Sequence, residues 1–228
     1  MEPTAKTNIY NLIILDKSGS MSNIKEEALS GYNETLGTIR SAQLKHIDTQ
    51  EHFVSLAAFC SCGVQMIYDK TPIKDAVNLT GKDYQPCCCT PLYDAIGTTV
   101  QNLRNAISED KTAAVLVTII TDGLENSSKE WNGAAVKKLI DECKELGWNF
   151  AYIGADHDVE AVAATLSIKN TTMFAKTKKS LKVMWNKQKE AIDSYYDMIE
   201  EEFSMPAMTD KARVTFRQSL SESYYKKK

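Results

Sequence analysis

The residues of this chain best suited to chemistry are Asp16, Ser18 and Ser20, on the segment Asp16-Lys17-Ser18-Gly19-Ser20. One carboxylate and two hydroxyls at alternate positions, with no His or Cys among them, make a hard oxygen set that suits Mg²⁺, Mn²⁺ or Ca²⁺ rather than zinc. The apolar run Ile9-Tyr10-Asn11-Leu12-Ile13-Ile14-Leu15 precedes them and reads as a buried strand. The three side chains therefore fall at its carboxyl end, where open α/β sheets place their ligands. Two further segments bring oxygen donors to the same edge. Thr90-Pro91-Leu92-Tyr93-Asp94-Ala95 opens a helix, and Thr121-Asp122-Gly123 follows residues 113–120, the strongest strand signal in the chain. In a parallel sheet Asp16, Ser18, Ser20, Thr90 and Asp122 form one constellation.

The elements that must position these groups are legible from periodicity. Ser22 or Asn23 can cap a helix whose apolar face is Ile24, Ala28, Tyr32, Leu36 and Ile39, running to about Leu44. Residues 53–59 and 64–68 predict two strands joined by Cys60-Ser61-Cys62-Gly63, short enough for an antiparallel hairpin. Leu92, Ile96, Val100, Leu103 and Ile107 recur at helical spacing, as do Val136, Leu139, Ile140, Cys143 and Leu146 before Gly147. Strands follow at residues 148–153 and 171–174, with a short helix at 158–166 between them. Alternating strands and helices predict an α/β fold: a doubly wound, mostly parallel sheet with one antiparallel edge strand and helices on both faces. Leu181, Met184, Trp185, Gln188, Ile192, Tyr195 and Ile199 stripe a long amphipathic helix, which Pro206 should end or follow. One more helix is expected at 209–220, and Lys226-Lys227-Lys228 reads as a frayed tail. The expected division is a sheet domain over residues 1–176 and a helical extension over 177–228. Periodicity does not say whether that extension packs on the sheet, regulates it or mediates self-association.

Composition excludes several function classes. With 27 basic and 30 acidic residues among 228, and a formal net charge of -3, the chain has no electrostatic footprint for nucleic acid. No apolar stretch approaches the roughly 20 residues of a membrane span, and residues 1–8 lack the apolar core of a signal peptide. A soluble, cytoplasmic protein is expected. The six cysteines are unevenly placed: Cys60 and Cys62 flank Ser61, Cys87, Cys88 and Cys89 are consecutive, and Cys143 lies in a helical pattern. Without a signal peptide free thiols are the default. Zinc binding or oxidant sensing is the alternative, but Cys-Cys-Cys does not match the usual two-residue ligand spacing.

In its Asp16-x-Ser18-x-Ser20 motif, its distant Thr90 and its distant Asp122, the chain resembles the von Willebrand factor A (VWA) domain family. The resemblance covers roughly residues 9–174, and the order of elements supports it. That family's metal-ion-dependent adhesion site (MIDAS) has the pattern D-x-S-x-S, then a Thr, then an Asp, and all five positions are filled here. The resemblance implies that Ser18 and Ser20 bind a divalent ion, Mg²⁺ before Mn²⁺ or Ca²⁺, through their hydroxyls. Thr90 would bind directly or through water, and Asp16 and Asp122 often through water, leaving one position open for a partner. Neutral hydroxyls leave much of the ion's charge uncompensated, so an Asp or Glu carboxylate from a partner protein gains a favourable ionic bond. Before Thr90, where relatives commonly carry glycines, this chain has Cys87-Cys88-Cys89, and the hairpin should bring Cys60 and Cys62 to the same edge. Small buried cysteines are the simpler reading.

The expected function is thus a non-enzymatic, metal-dependent protein-interaction module. Alternatives are a regulatory or assembly subunit of an ATPase complex, a role of some intracellular relatives, and a metal-dependent phosphohydrolase. Against the last, Ser18 stands where D-x-D phosphatases carry their second carboxylate. A serine hydrolase fits poorly, because there is no G-x-S-x-G elbow and only His46, His52 and His157 could serve as base. No G-x-x-x-x-G-K-[ST] phosphate loop occurs. Asp94 reads as a structural carboxylate near a helix N-terminus, and Gly154-Ala155-Asp156-His157-Asp158 as a helix-starting loop. Trp185, Tyr195, Tyr196 and Phe203 read as the core face of their helix. Lys17 and Met21 are neighbours that could rim a partner surface.

Overall fold

Side-chain alternation along β1 (Thr7–Asp16) decides which face each helix covers. Ile9, Ile13 and Leu15 enter one apolar cluster, Leu12 and Ile14 the other, as the two-residue period of a strand requires. Residues 6–110, 112–155, 159–175, 177–205 and 208–225 are described in the computed structural model. The other strands are β2 (Gln50–Cys60), β3 (Gly63–Pro72), β4 (Ala114–Thr121), β5 (Asn149–Ala155) and β6 (Asn170–Phe174). They form one six-stranded sheet in the order β3-β2-β1-β4-β5-β6. Only β3 is antiparallel, paired to β2 through the predicted hairpin.

Helices α1 (Lys25–Lys45), α5 (Lys178–Ser204) and α6 (Asp210–Ser223) cover one face. Helices α2 (Leu92–Ala106), α3 (Gly133–Glu145) and α4 (Val159–Thr165) cover the other. The apolar stripes expected for α1, α2 and α5 are all buried. Trp185, Tyr195 and Tyr196 are buried and Phe203 half-buried, as a core face requires. A helix passes α5 closely at Gly31 of α1: a Cβ there would lie 1.7 Å from the Trp185 ring, so only hydrogen leaves room for the indole. Glu202 of α5 and Arg217 of α6 are buried as a forked pair, Nε to Oε2 at 2.8 Å and Nη2 to Oε1 at 2.9 Å. Arg217 also donates to the carbonyls of Thr112 and Ala113, at the entry to β4.

Three expectations need correction. Helix α1 does not start from a Ser22 or Asn23 cap; a 3₁₀ turn, Gly19–Ile24, precedes it, and neither Ser18 nor Ile24 makes a side-chain cap. Leu146 is 49% exposed because α3 has ended and the chain turns at Gly147, whose φ is +85°. Met21 is fully buried and cannot rim a surface. The expectations placed on Asp156 to Asp158, on Pro206 and on the terminal lysines lie outside the described residues.

Candidate metal centre

Strand order reverses between β1 and β4, because β1 leads out to β2 on one side and β4 leads to β5 on the other. At such a switch point the two carboxyl-end loops diverge and leave a crevice. Asp16 ends β1 and Asp122 follows Thr121, the last residue of β4, so the two carboxylates flank that crevice. The Ser20 hydroxyl donates to Asp122 Oδ1 at 2.6 Å and lies 3.1 Å from the Ser18 hydroxyl. Asp16 Oδ1 accepts the Ser18 backbone N–H at 2.6 Å, folding the loop back on the strand end. Thr90 joins from the start of α2. A Cβ placed on Gly123 would lie 3.4 Å from Thr90 Oγ1 and 3.8 Å from Ser20 Oγ, so both hydroxyls gather at this glycine. The structure therefore brings all five predicted residues to one place.

Burial is uneven here: Asp16 is 0% exposed, Ser18 1%, Thr90 3% and Asp122 5%, whereas Ser20 is exposed at the mouth of the cluster. Burial pushes the Asp16 carboxyl above its ordinary range, and the nearby Asp122 carboxylate adds to this, opposed by hydrogen bonds from Thr121 and Ser18. Two close carboxylates in a crevice lined by hydroxyl oxygen are a donor set that a hard divalent cation fits and that its charge would relieve.

Several positioning residues carried no motif. Thr121 donates from Oγ1 to Asp16 Oδ2 at 2.6 Å, and Tyr84, fully buried, donates to the Asp16 carbonyl at 2.6 Å. Burial, then the charges of Asp16 and Asp122, hold the Tyr84 phenol protonated and so keep it a donor. Asn126 clamps Thr90 reciprocally: its Oδ1 accepts the Thr90 N–H at 2.8 Å and its N–H donates to the Thr90 carbonyl at 3.1 Å. Glu125 accepts from the backbone N–H groups of Tyr93, Ser127 and Ser128, which outweigh its burial and keep its carboxyl below the usual range. Asp94 accepts from the backbone of Lys129, Glu130 and Trp131, and is thus the structural carboxylate expected. The signal available in sequence was only that Glu125 to Ser128 is polar and follows Asp122.

The two described histidines are elsewhere. His52 pairs with Ile9 and His46 follows α1, both at the amino-terminal edge of the sheet, opposite the Asp16–Phe59 pair; His157 lies outside the described residues. Among the described residues no helix is long and apolar enough to cross a membrane.

No protein-family model and no curated protein matches the sequence. Solved structures do match its fold. Proximal thread matrix protein 1 from the mussel byssus, in a structure with a zinc-occupied MIDAS motif, superposes with a TM-score of 0.56 at 15% identity, over 80% of this chain and 47% of that one. The pilus adhesin SpaC of Lactobacillus rhamnosus GG gives 0.60 at 15% identity, over 84% and 31%. Manganese-loaded TRAP of Plasmodium vivax gives 0.51 at 14%, over 78% and 72%, and the SpRpn10 VWA domain 0.50 at 13%, over 78% and 94%. The chain spans less than half the length of the mussel protein and of the adhesin. Its parallel sheet, single antiparallel edge strand and two helical layers are those of a von Willebrand factor A domain.

Proposed function

We propose that the chain is a non-enzymatic protein-interaction module that holds a divalent cation, Mg²⁺, at Asp16, Ser18, Ser20, Thr90 and Asp122. The observation that carries this reading is the convergence of oxygen donors from three separate segments on one hydrogen-bonded, largely buried cluster at the switch point, open at Ser20. When bound, the cation supplies an electrophilic contact for a carboxylate of a partner protein. The chain's own contribution is positional. Ser18 and Ser20 would present neutral oxygens, while Asp16 and Asp122, tied by hydrogen bonds to Thr121 and Ser20, would orient hydroxyls and water. The zinc-occupied site of the mussel protein and the manganese of the parasite protein support metal occupancy of this fold at low sequence identity.

The non-enzymatic reading agrees with the placement of the described histidines: a general base must come within hydrogen-bonding reach of the proton it takes, and His46 and His52 are at the opposite sheet edge. The decisive measurement is calorimetric titration with Mg²⁺. The wild-type chain should bind one equivalent, and Asp16→Ala and Asp122→Ala should each abolish the heat while retaining the far-UV circular dichroism of the parent. Unchanged binding in both variants would overturn the assignment. A pull-down with and without chelator tests the docking role: a partner captured only with Mg²⁺ supports it, and metal-dependent turnover of a phosphate ester refutes it.

A further inference from the structure

Four of the six cysteines converge on a point beside the oxygen cluster, from two loops. Cys60 and Cys62 flank the β2–β3 turn, and Cys87 and Cys88 lie in the segment leading to Thr90. Cys60 Sγ is 3.4 Å from Cys87 Sγ, and Cys62 Sγ is 3.3 Å from Cys88 Sγ. The sulfurs of Cys60, Cys62 and Cys87 all lie within 4.8 Å of one another. All four are free thiols. We propose that Cys60, Cys62, Cys87 and Cys88 form a second metal site, a tetrathiolate centre for Zn²⁺, separate from the oxygen cluster.

Geometry favours a shared ion over two disulfides. A Zn–S bond of about 2.3 Å in a tetrahedron sets ligand sulfurs about 3.8 Å apart, a spacing that Cys60, Cys62 and Cys87 already bracket, with Cys88 entering through its 3.3 Å contact with Cys62. Disulfide bonding would draw sulfurs together in pairs at about 2.05 Å, and it gives no reason for the two pairs to meet. Thiolate is also the donor that selects zinc, just as the hydroxyl and carboxylate set beside it selects a hard ion. The two sites divide by donor chemistry.

The backbone assembles the thiols without a metal. Ser61 N–H donates to the Cys89 carbonyl at 3.0 Å, and the Ser61 hydroxyl accepts the Cys89 N–H at 3.1 Å, so hairpin and loop are stitched on both sides of the cluster. Consecutive residues in extended chain send their side chains to opposite sides. Cys88 breaks that rule by adopting a φ of +63°, a left-handed conformation uncommon for residues other than glycine, and both Cys87 and Cys88 reach the hairpin. Cys60 is buried and gives the site a dry floor, while Cys62 and Cys88 are exposed and leave the ion a way in.

On binding, each thiol releases its proton to solvent as a sulfur lone pair passes to the ion, so occupancy rises with pH. The site would act on its neighbour through the chain. Gly19 N–H donates to the Cys88 carbonyl at 3.0 Å and Cys87 N–H to the Lys17 carbonyl at 2.8 Å, so fixing the thiol loop fixes the backbone that carries Ser18 and Ser20.

The test uses the reduced, metal-free full chain and Co²⁺ as probe. Cobalt should give near-ultraviolet thiolate charge-transfer absorption and the intense visible bands of a tetrahedral ion, and one equivalent of Zn²⁺ should bleach both. Asp122→Ala should keep these spectra while losing Mg²⁺ binding, which separates this site from the oxygen cluster. The exposed double substitution Cys62→Ser/Cys88→Ser should abolish them and leave the Mg²⁺ titration in place. A wild-type cobalt spectrum without thiolate charge transfer overturns the proposal, as does an unchanged spectrum in the double variant.

Discussion

Asp16 commits its groups before any ligand arrives: one carboxylate oxygen to the Ser18 N–H, the other to the Thr121 hydroxyl, and its carbonyl to Tyr84. Such an acid is a poor nucleophile and a well-anchored orienting group. Thr121, like Tyr84, lies outside the motif, and its removal has a definite expected outcome. Thr121→Val keeps the shape but leaves a buried Asp16 oxygen without its donor, at a cost of about 1–3 kcal/mol to the fold. Supporting hydrogen bonds of this kind typically set roughly 10- to 100-fold in metal affinity, so Mg²⁺ binding to Thr121→Val should weaken by that factor. Calorimetry beside the wild type checks it; equal affinities would mean that Asp16 is held adequately by Ser18 alone.

At the scale of elements, the interlock of α5, α6 and the entry to β4 rests on Glu202 and Arg217, each less than 7% exposed by the burial values of 6% and 3%. Arg217→Ala would strand the Glu202 charge, shared otherwise, among the described residues, with the Nε of Arg213 at 3.0 Å, and release two backbone carbonyls. A loss of about 3–5 kcal/mol in chemical denaturation is expected, and a loss below ~1 kcal/mol would show that the pair is replaceable. This pair was invisible in the sequence, because an Arg and a Glu on two amphipathic helices look like solvated charges until packing is known. Elements themselves were legible, since β1 and β4 are continuous apolar runs and α1, α2 and α5 keep a helical stripe. So were the five oxygen residues, four of which lie at or just after the ends of β1 and β4 while Thr90 precedes α2. The thiol convergence was legible in part: topology brings the hairpin to the edge of Cys87-Cys88-Cys89, but the cysteines come as C-x-C and C-C-C on different loops, and ligand spacing read along one segment cannot register which sulfurs meet between them. The buried-cysteine reading holds for Cys60 and Cys143 and fails for Cys62, Cys88 and Cys89, which are exposed. Tyr84, Asn126 and Glu125 were hidden for a related reason, as their partners are backbone groups brought near only by loop closure.

For the molecule as a whole, acid sensitivity is built into the face that α5 covers. His52 is fully buried, its Nε2 is 3.0 Å from Gln50 Oε1, and its ring meets Tyr196 edge-on at 4.6 Å. Burial, and then the neighbouring His46, hold it from the ordinary 6.5 down to about 3. The unfolded chain therefore binds a proton below pH 6.5 that the folded chain refuses, so His52 favours folding above that pH and its contribution fades as pH falls from 6.5 towards 3. The limiting slope is about 1.4 kcal/mol per pH unit, or about 2 kcal/mol lost by pH 5. Urea denaturation at neutral pH and at pH 5 should show this loss in the wild type and a smaller one in His52→Gln; parallel losses would assign it to the carboxylates instead. The same face has a further consequence, in the order in which the chain is made. Ile9, Ile13, Leu15, Val54 and Leu56 share one apolar cluster with Trp185, Ile192, Tyr195 and Tyr196 of α5. All six strands precede α5 in the chain, so a nascent chain that has exposed all of them still lacks the cover of α5 on this face, and only the arrival of residues 178–204 lets Trp185 drop onto Gly31 and close it.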